Sequence, residues 1–396
     1  MTRSENPENA YAGPIQADAF VPGPDDQRLK IGIIGAGIAG LAAAVALRHS
    51  GHKVESEFMR ANDLETIIAN ETKGFPERYG AEFYFMHRVD LHNELRRLAE
   101  ESDGRTEPVK IILSADVVGA DPGTGQLVLN DGTKYKKDVI VAADGVHSFL
   151  TSKILGTENA AYPTGQSAFR FLIPTEKLLQ DPEARLVVQG RPDGIYVVSG
   201  SDRRLVWYPC RGGEVMNFVG IHPDEGREHS TEDFTASAPV EELLHVYESF
   251  HPSLRAMCRN ADDVKLWKLL FRPPIHSFTK DKLVLVGDAA HPMLPHQGQA
   301  GAQAIEDGAA LGALLSKLKS IDEIQTRLKA FDEIRRNRAS AMQIFSNAGQ
   351  DQAERIEKEA EKYVEGPVPK NPHEFHEWNF SYDVFRHSLN ALSAIS

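Results

Sequence analysis

Three glycines, Gly35, Gly37 and Gly40, stand in the pattern G-x-G-x-x-G between the apolar run "IGIIG" and the alanine-rich run "IAGLAAAVAL". The spacing suits a cradle for phosphate. The first glycine permits a tight turn, the second, beyond Ala36, lets backbone approach a pyrophosphate, and the third lets a helix pack on a strand. The helix N-terminus then faces the anion. A bare glycine triplet also marks tight structural turns, but strand before, helix after, and Ala44, Leu47, Gly51 and Val54 at the usual spacings favour a dinucleotide site. Two aspartates follow buried-strand patterns: Asp144 in "VIVAADGVHSFL" and Asp288 in "LVLVGDAAHPMLPHQGQAGAQAIEDGAALG". A carboxylate at a strand end can hold a ligand hydroxyl or cap a turn.

A site of this kind ends its second strand in Glu or Asp, about 20 residues after the glycines, to bind a ribose hydroxyl. Here that place is held by "KVESEFMRANDLE", Lys53 to Glu65. The stretch is polar and charged and lacks the apolar run of a central parallel strand. The aligned position is Phe58, and Glu57, one residue early, would point to the other face of a strand. Glu55 and Glu57 read equally as ribose ligands on an irregular backbone and as solvated loop charges.

The elements needed to position these groups can be followed along the chain. An amphipathic helix fits "FMHRVDLHNELRRLAEES", with Val89, Leu91, Leu95 and Leu98 at helical spacing. Short strands joined by turns fill the stretch from Val109 to Gly145, the last returning to a parallel sheet. From Ser167 to Val219, segments such as "AFRFLIP", "RLVWYPC" and "MNFVGIH" alternate apolar and polar residues, which suits an antiparallel sheet in a separate lobe. The buried strand "KLVLVGDAA", a helix from about Gly298 to Lys319 and charged helical sequence complete the chain. The fold class is α/β, a Rossmann-like nucleotide-binding domain with an inserted antiparallel-sheet substrate domain. The boundaries expected are a disordered arm over 1–28, a discontinuous first domain over 29–160 and 276–320, a substrate domain over 161–275 and a helical region over 321–396.

Composition narrows the partners. With 57 Asp and Glu against 44 Lys and Arg, the net charge of −13 and the lack of a basic stripe argue against nucleic acid. No stretch approaches the roughly 20 apolar residues of a membrane span, and the N-terminus lacks the regions of a signal peptide. Cys210 and Cys258 are too few for a disulfide framework and lack the paired spacing of a zinc site. A cytoplasmic, metal-free protein is expected.

The glycine turn, "HRVDLHNEL", "VIVAADG", "FRFLIP", "WYPCRGGEVMNFV" and "LVGDAAHPMLPHQGQ" together resemble the FAD-dependent aromatic hydroxylases, single-component flavoprotein monooxygenases similar to salicylate hydroxylase. The resemblance runs from about Leu29 to Ala310. It implies that Gly35, Ala36, Gly37 and Gly40 cradle the FAD pyrophosphate and that Arg88 contacts the ribityl and phosphate portion. It further implies that Asp288 bonds the ribityl chain, and that Pro295 with the backbone from Gly298 to Gly301 lies against the isoalloxazine ring. Asp144 would support the nucleotide region and NAD(P)H use, although the arginine usual a few residues beyond it is replaced near that place by Thr151. His296 would lie near the ring as a substrate contact or proton relay, while His291 reads as structural. Tyr208, Arg211 and Arg170, on strands of the substrate lobe, line the pocket or face solvent.

The activity implied is hydroxylation of a small phenolic substrate with O2 and NAD(P)H through a flavin hydroperoxide, NAD(P)H visiting transiently because the chain has a single glycine fingerprint. A homodimer is compatible with this reading. The span from Glu55 to Met86 is some fifty residues shorter than the resemblance implies, as if Val54 were joined to sequence from much later. Two alternatives stay open: a degenerate, non-catalytic member with weakened FAD binding, and an epoxidase of the same fold. A halogenase is disfavoured because its tryptophan-rich motif is not found.

Overall fold

The computed structural model describes residues 27, 29–45, 55–71, 75–80, 85–102, 107–191, 194–224 and 236–395. The arm expected over 1–28, except Gln27, and the positions Leu47, Gly51 and Val54 lie outside the described residues. In chain order the strands are β1 (Ile31–Ile34), β2 (Glu55–Arg60), β3 (Thr66–Glu71), β4 (Val117–Asp121), β5 (Gln126–Leu129), β6 (Lys134–Lys136), β7 (Val139–Ala142), β8 (Tyr162–Pro174), β9 (Gly194–Ser199), β10 (Arg204–Cys210), β11 (Val215–Pro223), β12 (Ser237–Ala238), β13 (Val264–Phe271), β14 (Thr279–Lys280) and β15 (Leu283–Leu285). The helices are α1 (Ile38–Val45), α2 (Phe75–Tyr79), α3 (Arg88–Glu100), α4 (Thr151–Leu155), α5 (Thr175–Gln180), α6 (Arg185–Val188), α7 (Val240–Val246), α8 (Pro252–Arg259), α9 (Ala300–Leu314), α10 (Ile324–Phe345), α11 (Glu357–Ala360), α12 (Pro372–Phe380) and α13 (Val384–Ile395).

The chain forms two compact units, one from residues 1–49, 91–162 and 270–396, the other from 50–90 and 163–269. In the first, a sheet ordered β1-β7-β15-β14 is parallel except at β14. Its central strand β7, "VIVA", is buried at every residue, as a parallel strand covered on both faces must be. Helix α9, "AGAQAIEDGAALGAL", carries few large side chains, so α1, α10 and α13 all pack on it. A three-stranded antiparallel sheet, β4-β5-β6, belongs to the same unit, whereas residues 109–113, at the start of the stretch expected to be filled by short strands, form none.

The second unit is built on an eight-stranded sheet ordered β12-β13-β8-β11-β10-β9-β2-β3. One face stacks aromatic rings: Phe171 on Phe218 at 4.8 Å and Tyr196 on Trp207 at 5.3 Å. These rings share a core with residues of α5 to α8. The architecture is thus α/β, with a Rossmann-like unit and an inserted, mainly antiparallel sheet.

Two expectations need correction. The stretch after Val54 is a strand, β2, but it runs parallel to β9 and antiparallel to β3 in the second unit. Its half-polar sequence suits a strand near a sheet edge, and Met59 and Ala61 are buried in that unit's core. Residues 50–90 therefore leave the first domain as drawn. The 321–396 region, in turn, is part of the first unit rather than a separate body, because α10 and α13 pack on α9.

In α12, Phe375 and Trp378 pack edge-on against Phe345 of α10, and His376 lies against Phe380. Burial, with the neighbouring charge of His373, pushes the His376 imidazole down to about 4. The unfolded chain, with an ordinary histidine near 6.5, then binds more protons than the folded one between these values, so stability falls as pH drops through that window. His376→Phe should flatten the fall of thermal midpoint from pH 6.5 to pH 4, an effect of up to about 3 kcal/mol. Equal slopes for wild type and variant would show that His376 is not the group responsible.

Candidate active site

The glycine turn of the first unit is as tight as its sequence implies. Gly35 has φ +97°, and a Cβ there would lie 2.2 Å from the Ala143 carbonyl oxygen, so β1 and β7 can approach only if this residue is glycine. At Gly37 a Cβ would meet nothing within 4 Å, which leaves bare backbone facing open space, as a pyrophosphate requires. Gly40 falls inside α1. His92 of α3 places its Nε2 2.7 Å from the Ala36 carbonyl, tying that helix to the turn.

The second element is the 3-10 turn Gly287–Ala289 at the end of β15. Gly287 has φ +58°, and its Cα faces the Cβ of Ala39, to which an added Cβ would come within 2.5 Å. The Gly287 N–H donates to Asp307 Oδ2 at 2.8 Å, and the same carboxylate accepts from His291 Nε2 at 2.6 Å and from Arg335 Nε at 2.9 Å. Asp307, His291 and Arg335 are all buried. Burial alone would raise the Asp307 carboxyl, yet the charges of His291 and Arg335 outweigh it and hold it below its usual range. Arg335 also pairs with Glu306, which binds Arg338, and Arg338 lies 4.0 Å over the Tyr382 ring. Two carboxylates and two guanidiniums thus balance in the interior.

On the other side of the turn stands Arg272, 1% exposed. It donates to the carbonyls of Ala289 at 2.6 Å and Asp288 at 3.2 Å. Thr151 Oγ1 donates to the same Ala289 carbonyl at 2.9 Å. The side chain of Asp288 is left exposed on an otherwise buried turn, which suits a carboxylate that must meet a ligand. Asp144 is different: both its carboxylate oxygens are buried without a hydrogen-bond partner among the described residues. Burial raises its carboxyl, countered in part by the Arg272 charge.

Pro295 and His296 are half-buried, in a segment anchored by Gln297, whose Nε2 donates to the carbonyls of Phe345 and Ala348 at 3.1 and 3.0 Å. Gly298, at φ +64°, and Gly301, in the first turn of α9, would each accept a Cβ without contact. Here too bare backbone faces open space. The glycine turn, Asp288 and the 295–301 segment therefore fit the pyrophosphate, ribityl and ring portions of FAD. The ribose carboxylate has no equivalent in the nucleotide sheet, since β1 is its end strand among the described residues and Glu57 and Phe58 belong to β2 of the other sheet.

In the second unit, Tyr208 and Arg170 come together. Asn217, paired directly with Tyr208 across β10 and β11, donates its Nδ2 to the Tyr208 hydroxyl at 3.0 Å, and Phe85 stacks on the Tyr208 ring at 5.0 Å. Arg170 lies 5.4 Å over the Trp267 ring, and its buried Nε has no hydrogen-bond partner among the described residues. Burial pushes the Tyr208 phenol up against the pull of Arg170, and burial with the Arg88 charge pushes Arg170 down against the pull of Tyr208. Arg88 itself is exposed at the first residue of α3. Arg211 does not join this group: it sits at φ +53°, exposed, with both arms of its guanidinium on Asp90 at 2.8 and 2.9 Å.

Sequence reasoning passed over Arg272, Asp307, Asn217 and His92. His92 in "HRVDLHNEL", Asn217 in "WYPCRGGEVMNFV" and Asp307 in "QAIEDGAALG" lie within stretches already singled out, whereas Arg272 carried no signal, its partners being distant in the chain.

Residues 128–346 match the FAD binding domain family, and residues 29–190 match the pyridine nucleotide-disulphide oxidoreductase family. FAD-dependent monooxygenase phomE of Diaporthe leptostromiformis is 38% identical over 371 residues, covering 93% of this chain and 97% of its own. Hispidin-3-hydroxylase of Neonothopanus nambi is 31% identical over 366 residues, covering 79% and 86%. A structure of a salicylate hydroxylase substrate complex superposes with a TM-score of 0.70 at 23% identity, covering 92% of this chain and 98% of that one, a likeness of fold. Because 79% of 396 residues is about 313, the 366 positions aligned with hispidin-3-hydroxylase leave some fifty with no residue here. By the same reckoning phomE, with 371 positions against about 368 residues, aligns almost one to one. The chain belongs to the FAD-binding monooxygenase family.

Proposed function

We propose that the chain hydroxylates a small aromatic substrate bearing an acidic ring hydroxyl, consuming O2 and NAD(P)H. In the overall balance, ArH, O2, NAD(P)H and a proton give ArOH, NAD(P)+ and water. The observation that carries this reading is the Tyr208, Asn217 and Arg170 group, a phenol and a guanidinium among aromatic rings, the guanidinium's Nε without a hydrogen-bond partner among the described residues. It gains support from two relatives' names, hispidin-3-hydroxylase and 3-amino-4-hydroxybenzoate 2-monooxygenase, the second of which names a hydroxybenzoate.

FAD, when bound, supplies the activation of O2 and the transfer of one oxygen atom. The chain's own residues hold and prepare the partners. Because Asn217 donates to the Tyr208 oxygen, the Tyr208 O–H is left to donate to a substrate oxygen. Burial keeps that phenol protonated at neutral pH. Arg170 stabilises the ionised form of the substrate hydroxyl, which makes the ring carbon a better nucleophile. In the first unit His296 remains the candidate proton relay, and Asp288 with the 295–301 backbone receives the ribityl chain and the ring.

A non-catalytic remnant is the second reading, favoured by the absence, among the described residues, of a ribose carboxylate beside β1. The near gap-free alignment with phomE counts against it, because the short form is then not peculiar to this chain.

The visible spectrum of purified protein, taken before and after adding excess FAD and desalting, separates the two readings. Retained flavin bands, with NAD(P)H consumption that rises with one of a panel of phenols and matches hydroxylated product, are expected. A colourless protein indifferent to FAD would leave descent without activity. Tyr208→Phe and Arg170→Met should each lower kcat/KM by about 10- to 100-fold, as for a lost hydrogen bond of about 1.5–3 kcal/mol to a charged group. Flavin retention should stay at the wild-type level, and a parallel loss of FAD from these variants would contradict a substrate role.

A further inference from the structure

Where the family resemblance places an arginine a few residues beyond Asp144, this chain has Thr151, 1% exposed at the start of α4. The structure nevertheless delivers a guanidinium to that spot. Arg272, just past the end of β13, brings Nη1 within 3.4 Å of Thr151 Oγ1 while Nη2 donates to the Ala289 and Asp288 carbonyls. Thr151 and Arg272 meet at one acceptor, the Ala289 carbonyl.

Arg272 also has no carboxylate bonded to it among the described residues, and its Nε is buried without a partner. A guanidinium taken out of water without a bonded counter-ion is costly, and an anionic or strongly dipolar neighbour must offset the cost. The acids whose charges act on it are Asp288 and Asp144.

We infer that Arg272 is a positioning residue for FAD: it replaces, from another part of the chain, the arginine absent at 151, and holds the Asp288–Ala289 carbonyls so that the Asp288 carboxylate faces the cofactor. The inference rests on the family's use of FAD and on the Asp288 role proposed above. Its charge also acts on Asp144 across the same few residues, against the burial that raises that carboxyl. Thr151 contributes one hydrogen bond.

The test compares FAD affinity, read by quenching of flavin fluorescence, with the thermal midpoint of the apoprotein for Arg272→Met, Arg272→Lys and Thr151→Val. Arg272→Met is expected to weaken FAD by about 30-fold or more, Arg272→Lys by about three- to tenfold because the charge survives and one carbonyl stays in reach, and Thr151→Val by less than either. Unchanged affinity in Arg272→Met with a lowered midpoint, or Lys as damaging as Met, would reduce Arg272 to a structural residue. If Arg272→Met does not fold, Arg272→Lys on an Asp288→Asn background decides: no further weakening beyond Asp288→Asn alone supports action through Asp288, and losses that multiply overturn it. Wild-type protein that fails to retain FAD would instead refute the proposed function, so the two failures are distinguishable.

Discussion

The Gly287–Ala289 turn is held between a buried anion and a buried cation, and the rest of the first unit is arranged to supply both. Its N–H meets Asp307, and its carbonyls meet Arg272. Each peptide dipole is thus opposed by a charge of the right sign in a medium where such contacts are strong and unmade ones costly. A turn fixed in this way cannot relax when its single exposed carboxylate, Asp288, is asked to bind. The charges that fix it must be fixed in turn, which is the work of His291 and Arg335 around Asp307 and of Thr151 around Arg272.

Such a clamp demands close approach. Gly287 has Ala39 of α1 and Ala304 of α9 as the nearest atoms to an added Cβ, so the turn and both helices meet through residues with almost no side chain. This explains why α9 reads "AGAQAIEDGAALGAL": alanine and glycine on the packed face, with Gln303, Glu306 and Asp307 placed to reach Arg335 and Arg338 of α10. Four charges in a core cost much desolvation, and replacement by apolar residues of similar volume often stabilises a protein. Here they do what an apolar core cannot, presenting an acceptor to the N–H of Gly287 at a defined place.

Those parts of the fold that rest on local pattern were legible in the sequence. The glycine turn, the buried strand "VIVA", the alternation in β8, β10 and β11 and the strand before Asp288 follow from periodicity and from the special φ of glycine. Tyr208 and Arg170 could be assigned to strands from alternation, but which face each takes could not be read from it. Arg272 and Asp307 were passed over, since their meaning lies in partners 121 and 20 residues away, Thr151 and Gly287. Arg211 misled for the opposite reason. It follows a strand of the substrate lobe, but a positive φ turns it out to Asp90, a change of direction that no alternation records.

The stretch after Val54 shows the same limit from the side of topology. Sequence detects that "ESEFMR" is no central parallel strand, because half of it is polar; it does not tell which other sheet will take it. Met59 and Ala61 decide that by burying in the second unit's core, beside β9. Among the described residues the nucleotide sheet has β1 as an end strand with no ribose carboxylate beside it; on the proposed placement of FAD, lacking that contact would cost about 1.5–3 kcal/mol, or roughly one to two decades of affinity. A relative that aligns almost one to one shares the shortened form. On the proposed placement of FAD, its hold rests more heavily on the glycine turn and on the clamped Gly287–Ala289 turn, and rigidity at Asp288 matters more than where a ribose contact shares the load.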